Sequence, residues 1–155
     1  SLIETVKGKK ISLCGIRTGS NAQTPFHRYW SAGSTARDKT VAEFRRINSG
    51  DAIILGSELS NPSIGGSLTA LEIVHSDIGP VGISAISAAL RDNASLTSLS
   101  IQNERIDGAS ATTLGEAFKT NASLTSVDLQ WDFLSRESKA TLREAARDRL
   151  DLKLS

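Results

Sequence analysis

Ser67-Leu68-Thr69-Ala70-Leu71-Glu72-Ile73 is the stretch that decides the fold, because it returns twice at a fixed distance. It recurs as Ser95-Leu96-Thr97-Ser98-Leu99-Ser100-Ile101 and as Ser123-Leu124-Thr125-Ser126-Val127-Asp128-Leu129, each copy starting 28 residues after the one before. A period of roughly 20 to 50 residues is typical of solenoids, whose units bury their apolar faces against one another. We therefore expect one structural unit per copy.

Each unit is expected to hold one strand and one helix. Two apolar residues at spacing two predict a short strand with one buried face, at Leu71/Ile73, Leu99/Ile101 and Val127/Leu129. The residues that follow show helical columns: Ile83/Ala111, Ile86/Leu114/Leu142, Ala89/Ala117/Ala145 and Leu90/Phe118/Ala146. Strands alternating with helices predict an α/β fold with parallel strands.

The ends of these helices carry recognisable signals. Gly79-Pro80 is expected to begin the first helix, and Asp107 and Ser135 are suitable N-caps for the next two. Asn93 and Asn121 are expected to end two helices in the left-handed conformation that Asn tolerates. Both also match the Asn-X-Ser acceptor pattern for glycosylation, but their fixed place in the repeat favours a capping role.

The chain of 155 residues is expected to form a single domain. Its predicted parts are an N-terminal cap with an irregular aromatic loop (1–39), a degenerate repeat (40–66), three regular repeats (67–94, 95–122, 123–150) and a C-terminal cap strand (151–155). Ser49 is the expected N-cap of a helix over 49–59. Near the N-terminus, Leu2, Ile3 and Val6 share one helical face, and residues 10–16 read as a short strand.

Composition excludes several function classes. The net charge of +1 gives no field for nucleic acid or for an anionic membrane, although residues 1–66 carry +4 and residues 67–155 carry −3. No apolar run is long enough to span a membrane. The single cysteine, Cys14, permits no internal disulfide and favours an intracellular location, in the cytoplasm or an organelle interior, over a secreted one.

Catalytic signatures are absent from the sequence. There is no phosphate-binding Gly loop, no His/Cys metal spacing and no nucleophile elbow. The two histidines, His27 and His75, stand near no recognisable nucleophile. We expect no enzyme activity, no cofactor and no metal.

The pattern Leu68-x-x-Leu71-x-Ile73, followed by Ile78 and a helix, resembles the leucine-rich repeat. The 28-residue period resembles the ribonuclease-inhibitor-like subclass of that family. The chain is also similar to repeat proteins common in unicellular algae. The resemblance implies a solenoid with parallel strands on the concave face and helices on the convex face. It also implies a protein-binding or scaffolding role without a cofactor. The family's ladder asparagine is replaced here by Ser76, Glu104 and Asp132, so we expect a less regular ladder.

Two groups of residues are candidates for partner binding. The first is the loop 25–30, which gathers Phe26, His27, Arg28, Tyr29 and Trp30. Aromatic residues and Arg anchor interfaces, although the rings could instead cover the end of the core. The second is the outward face of the strands, with Glu72, His75, Asn103, Asp128 and Trp131; alternation along the strand predicts that Val74 also faces outward. The alternatives are that His75 is a solvated strand residue and that Trp131 packs on the C-terminal cap.

These features favour a non-catalytic protein–protein interaction module or scaffold. The partner would be another protein, bound through the concave strand face, the aromatic loop, or both. The alternative is a small structural subunit that is permanently docked in a larger assembly, such as an organellar one.

Overall fold

The computed structural model describes residues 29–32, 40–62, 66, 68–102, 104–130 and 133–154. These residues form six strands: β1 (Tyr29–Ala32), β2 (Thr40–Arg45), β3 (Leu68–Val74), β4 (Ser98–Gln102), β5 (Ser126–Leu129) and β6 (Asp151–Leu154). Four helices lie between them: α1 (Ser49–Ser60), α2 (Gly79–Asp92), α3 (Gly108–Thr120) and α4 (Arg136–Ala146). The helix and strand predicted within residues 1–16, with Cys14, lie outside the described residues.

All six strands belong to one sheet, in which they follow one another in chain order. Strands β2 to β6 pair in parallel, and β1 pairs antiparallel with β2. Right-handed crossovers between parallel neighbours in sequential order place the intervening helices on one side of the sheet. The predicted α/β class, with parallel strands alternating with helices, is confirmed.

The core lies between this helix layer and one face of the sheet. Leu71 pairs in register with Leu99, and Leu99 with Val127, and all three side chains are fully buried. The helical columns predicted from the sequence are likewise buried and join the same apolar cluster. The prediction that apolar residues two positions apart form the buried face of each strand is thus confirmed.

The helix N-termini follow the prediction with one exception. Asp107 accepts a hydrogen bond from the Ser110 amide at 2.8 Å, and the Ser135 hydroxyl accepts one from the Ser138 amide at 3.1 Å. The prediction of Ser49 as the N-cap of α1 is wrong. Asn48 holds that place, because its side chain and that of Asp51 bond each other's backbone amides in a capping box.

The two asparagines that end α2 and α3 have a different conformation from the predicted one. Asn93 and Asn121 are extended, with φ of −80° and −73°, instead of left-handed. Extended backbone turns each side chain into the structure, where Asn93 is 7% and Asn121 2% exposed. Burial and the hydrogen bonds of both amide nitrogens support a structural role for these two residues.

These asparagines belong to a set of hydrogen bonds that we call the amino-edge ladder, formed by Asn93, Ser95, Thr97 and their counterparts Asn121, Ser123, Thr125. The Asn93 amide donates to the Leu59 carbonyl at 3.0 Å, one unit earlier. The Ser95 hydroxyl donates to Leu68 and the Thr97 hydroxyl to Thr69. The repeated Asn-Ala-Ser-Leu-Thr phrase therefore joins consecutive units through their backbone carbonyls.

The two ends of the sheet are closed by different strands. At the C-terminal end, the predicted strand β6 pairs in parallel with β5, and Leu152 and Leu154 pack partly buried against the core. At the N-terminal end, β1 pairs with β2, so the prediction of a loop is wrong for residues 29–32.

Candidate functional site

The face of the sheet opposite the helices carries a line of polar side chains that we call the outer row. Its members are paired in strand register: Glu43, Glu72, Ser100, Asp128 and Lys153. Neighbouring strands are about 4.8 Å apart, so Glu72 and Asp128 stand about 10 Å from each other with Ser100 between them. The predicted placement of Glu72 and Asp128 on one face is confirmed by this register.

Charge is distributed unevenly along the outer row. Glu43 forms an ion pair with Arg45 on its own strand, which offsets its charge. Glu72 is exposed, and among the described residues neither it nor Asp128 forms an ion pair. The Asp128 carboxylate accepts a hydrogen bond from the Gln130 amide at 2.9 Å, which fixes its direction. The middle of the row therefore carries two carboxylates, and the carboxylate of Asp128 is held in a fixed direction.

Two other outward positions differ from the prediction. Val74 was placed among the outward-facing side chains, but it is 8% exposed and stands in register between Arg45 and Gln102. His75 lies beyond the end of β3 and not within it. Its φ of +49° turns the backbone away from the strand, while its amide donates to the Gln102 carbonyl at 3.1 Å. The His75 side chain is exposed at this turn.

The structure describes part of the aromatic loop and part of the predicted strand face. Phe26, His27 and Arg28 lie outside the described residues, as do Asn103 and Trp131. Tyr29 and Trp30 begin β1, where they pair in register with Glu43 and Ala42. The backbone of these two residues is therefore held at the N-terminal edge of the sheet.

The turns after the strands carry a second set of bonds between units. The Ser76 hydroxyl accepts a hydrogen bond from the Ile47 amide at 3.2 Å, and Glu104 accepts one from the Ile78 amide at 3.3 Å. Ser76 and Glu104 thus each bond a backbone amide of the preceding unit. Burial is the main reason why the pKa of the Glu104 carboxyl is raised to about 7. The hydrogen bond from the Ile78 amide lowers this pKa, and the nearby charge of Asp77 raises it.

A groove at the same edge was missed by the sequence reasoning. It has a volume of about 440 Å³ and is lined by Asp77, Pro80, Arg105, Asp107 and Phe133, among others. Phe133 is 81% exposed, compared with 60% for Val81 and 48% for Ile53. Its sequence signal is weak, because an apolar residue beside Leu134 reads as part of the core. The groove offers an aromatic ring next to charges of both signs.

Comparison with known proteins identifies no family: the chain matches no protein-family model and no curated protein sequence. None of the helices in the described part of the chain is both long and apolar enough to cross a membrane. Within the same residues, no cluster of three or more His, Cys, Asp or Glu side chains is arranged to hold a metal ion.

Proposed function

We propose that this chain is a non-catalytic protein-interaction module built as a leucine-rich-repeat solenoid of the ribonuclease-inhibitor-like type. The partner is another protein, which lies against the outer row of the sheet. The negative middle of the row, Glu72 and Asp128, receives basic or hydrogen-bond-donating groups of that partner.

The repeat architecture is supported by bonds that recur at the period of the sequence. The Asn121 amide donates to the Asn93 carbonyl, 28 residues earlier, at 2.8 Å. The Thr125 hydroxyl donates to the Thr97 carbonyl at 3.1 Å, as the Thr97 hydroxyl does to Thr69 at 3.0 Å. Equal bonds at equal offsets are what stacked identical units produce.

The observation that carries the binding proposal is the contrast between the two faces of the sheet. The inward residues are fully buried beneath the helices, whereas Glu72 is exposed and Ser100 and Asp128 are half-buried. The paired strands hold the backbone of this row at a regular spacing, so several polar groups are presented together, which lowers the entropy cost of binding.

The test is affinity capture from the native source with the full chain and a double variant, Glu72→Lys with Asp128→Lys. Reversing both charges opposes a partner selected for a negative surface, so recovery of the captured protein should fall at least about tenfold. The matched control makes the same change in net charge on the exposed helix surface, with Asp92→Lys and Glu144→Lys, and should capture normally. Equal capture by both double variants would place the binding surface elsewhere.

A permanently docked structural subunit is the second candidate, and the groove around Phe133 favours it. A ring that is 81% exposed adds apolar surface that an assembly would cover. A docked subunit should associate or melt at low temperature when isolated, whereas a free binder should be monomeric and stable. Size-exclusion chromatography and thermal melting of the purified chain separate the two.

A further inference from the structure

The side of α4 that faces away from α3 is covered by no other helix of the described part of the chain. Helix α4 packs against α3 and, over a smaller contact, against β6. Thr141 and Ala145 are the residues of α4 that lie nearest to Gly115 of α3. A step of two residues turns about 200° around a helix, so Lys139 and Arg143, each two residues from Thr141, point away from α3. We call this side of α4, together with the neighbouring strand β6, the C-terminal end face.

Four cations form a row on this side of α4, which we call the basic stripe. Successive members are three or four residues apart, a spacing that aligns side chains along one helix face. The row consists of Arg136, Lys139, Arg143 and the C-cap residue Arg147. All but Lys139 are exposed, and none of the four forms an ion pair with another described residue. The stripe is therefore open to an anionic partner.

The acidic residues of the same segment do not neutralise the basic stripe. About 100° around the helix lies a separate acidic row, Glu137, Glu144 and Asp148. Like charges at a spacing of three or four residues destabilise a helix, whereas opposite charges at that spacing stabilise it. Helix α3 follows this rule, since Lys119 pairs with Glu116 at 2.9 Å. Helix stability alone therefore does not account for four cations in one row of α4.

Arg147 occupies a backbone position that suits glycine. Its φ is +47°, in the region that residues other than glycine rarely adopt. Its amide donates to the Arg143 carbonyl at 2.9 Å, so the residue continues the line of α4. An arginine in this conformation lowers stability, which is explained if its charge is used in binding.

Strand β6 covers the edge of β5 but leaves its own outer edge without a neighbour among the described strands. The Asp151 amide donates to the Thr125 carbonyl at 2.9 Å, so Asp151 turns its backbone groups towards β5. Backbone groups alternate between the two edges of a strand, so the N–H groups of Leu152 and Leu154 point to the outer edge. An open strand edge is a template for pairing with another extended chain.

The apolar face of the sheet is also incompletely covered at β6. Leu152 and Leu154 pack against the core but are only half-buried. Their register partners on β5, Val127 and Leu129, are fully buried. A further strand beside β6 would remove more of the two leucines from water, which is favourable.

We propose that an acidic, extended segment of a partner protein binds the C-terminal end face. The segment adds a strand to the outer edge of β6, its apolar side chains cover Leu152 and Leu154, and its carboxylates pair with the basic stripe. Strand addition supplies backbone hydrogen bonds, and the side chains of the added strand supply selectivity. This surface is separate from Glu72 and Asp128 of the outer row, so the two binding proposals can fail independently.

The combination of features favours this occupant over others. A second copy docked symmetrically through the same face would bring two basic stripes together. A nucleic acid or an anionic membrane would engage the cations, but it would form no strand on the open edge of β6. An acidic extended segment meets the cations, the half-buried leucines and the strand edge at once.

The test measures binding of a synthetic probe to the full chain by fluorescence anisotropy. The probe is a labelled peptide of alternating Glu and Val, and the same peptide with Lys in place of Glu should not bind. Arg136→Glu with Arg143→Glu should weaken binding of the Glu peptide at least about tenfold. The matched control, Arg91→Glu with Arg105→Glu, reverses two exposed arginines elsewhere and should change the affinity less than about twofold.

Stability measurements separate a binding role from a structural one. Arg136→Glu with Arg143→Glu should not lower the melting temperature, because each new glutamate stands at helical spacing from Lys139. Arg147→Gly should not lower it either, since its φ favours glycine, yet this change should weaken peptide binding about threefold. A fall in melting temperature for both variants would assign the stripe a structural role and overturn the proposal.

Hydrogen exchange locates the added strand. The Glu peptide should slow exchange at the Leu152 and Leu154 amides, which point to the outer edge of β6. No saturable binding below about 1 mM peptide, equal losses in the stripe and control variants, or unchanged exchange at both amides would overturn the proposal. Tighter binding of duplex DNA or of phosphatidylserine vesicles than of the peptide, or self-association that the stripe variant abolishes, would do the same.

Discussion

Replacing Asn121 with Ala tests the amino-edge ladder most directly. The Asn121 amide donates to the Leu90 and Asn93 carbonyls at 2.6 and 2.8 Å, and its oxygen accepts from the Ser123 and Leu124 amides at 2.9 and 2.7 Å. The side chain is 2% exposed, so water cannot readily replace these bonds. Four bonds at about 1 kcal/mol each predict a loss of about 4 kcal/mol in the free energy of unfolding.

The assay is urea denaturation followed by circular dichroism at neutral pH. A matched control is Asn48→Ala, which removes an exposed N-cap and should cost about 1 kcal/mol. Asn121→Asp keeps the accepting oxygen but turns a carboxylate towards two carbonyls, so it should rescue little of the loss. A loss for Asn121→Ala no larger than that for Asn48→Ala would refute the view that the ladder joins the units.

Three further changes test the core, the helix layer and the turns. Leu99→Ala removes a fully buried side chain and should cost about 2–5 kcal/mol in a denaturant titration; a loss below about 1 kcal/mol would contradict the strand register. Gly56→Ala forces a Cβ against the Ala85 carbonyl and should cost about 1–3 kcal/mol, whereas Gly108→Ala, with open space around it, should be nearly neutral by thermal melting. The pKa of Glu104 is raised from 4.5 to about 7, so the native state binds this proton more tightly than the unfolded chain does. The free energy of unfolding should therefore rise as pH falls from 7 to 4.5. Glu104→Gln should remove this pH dependence, and an unchanged dependence in the variant would show that Glu104 is not its source.

Predictions that depend only on residues close together in the chain were confirmed for the strands and for two helix N-caps. The spacing of two at Leu99 and Ile101 marked the buried face of a strand, and both are fully buried. Asp107 and Ser135 capped the expected helices, because an N-cap depends on amides three residues away in the same chain. Register then followed from the repeat, which brought Glu72 and Asp128 onto one face.

Predictions that depended on a neighbouring unit were less successful. Asn93 was assigned to a left-handed cap because its own backbone permits that conformation, but its amide bonds the Leu59 carbonyl of the preceding unit. Val74 was assigned to the exposed face by alternation, yet it lies nearly buried in register between Arg45 and Gln102. The exposure of Phe133 could not be read from an apolar sequence context.

The sequence by itself determined that this chain alternates strands and helices at a period of 28 residues, which residues fill the core, and where most helices begin. These properties follow from side-chain periodicity and short-range hydrogen bonds, which are local. Tertiary structure alone decided that Asn93 and Asn121 bond across units and that β1 covers the edge of β2. Each of these depends on distances between segments far apart in the chain, and such distances are set by packing.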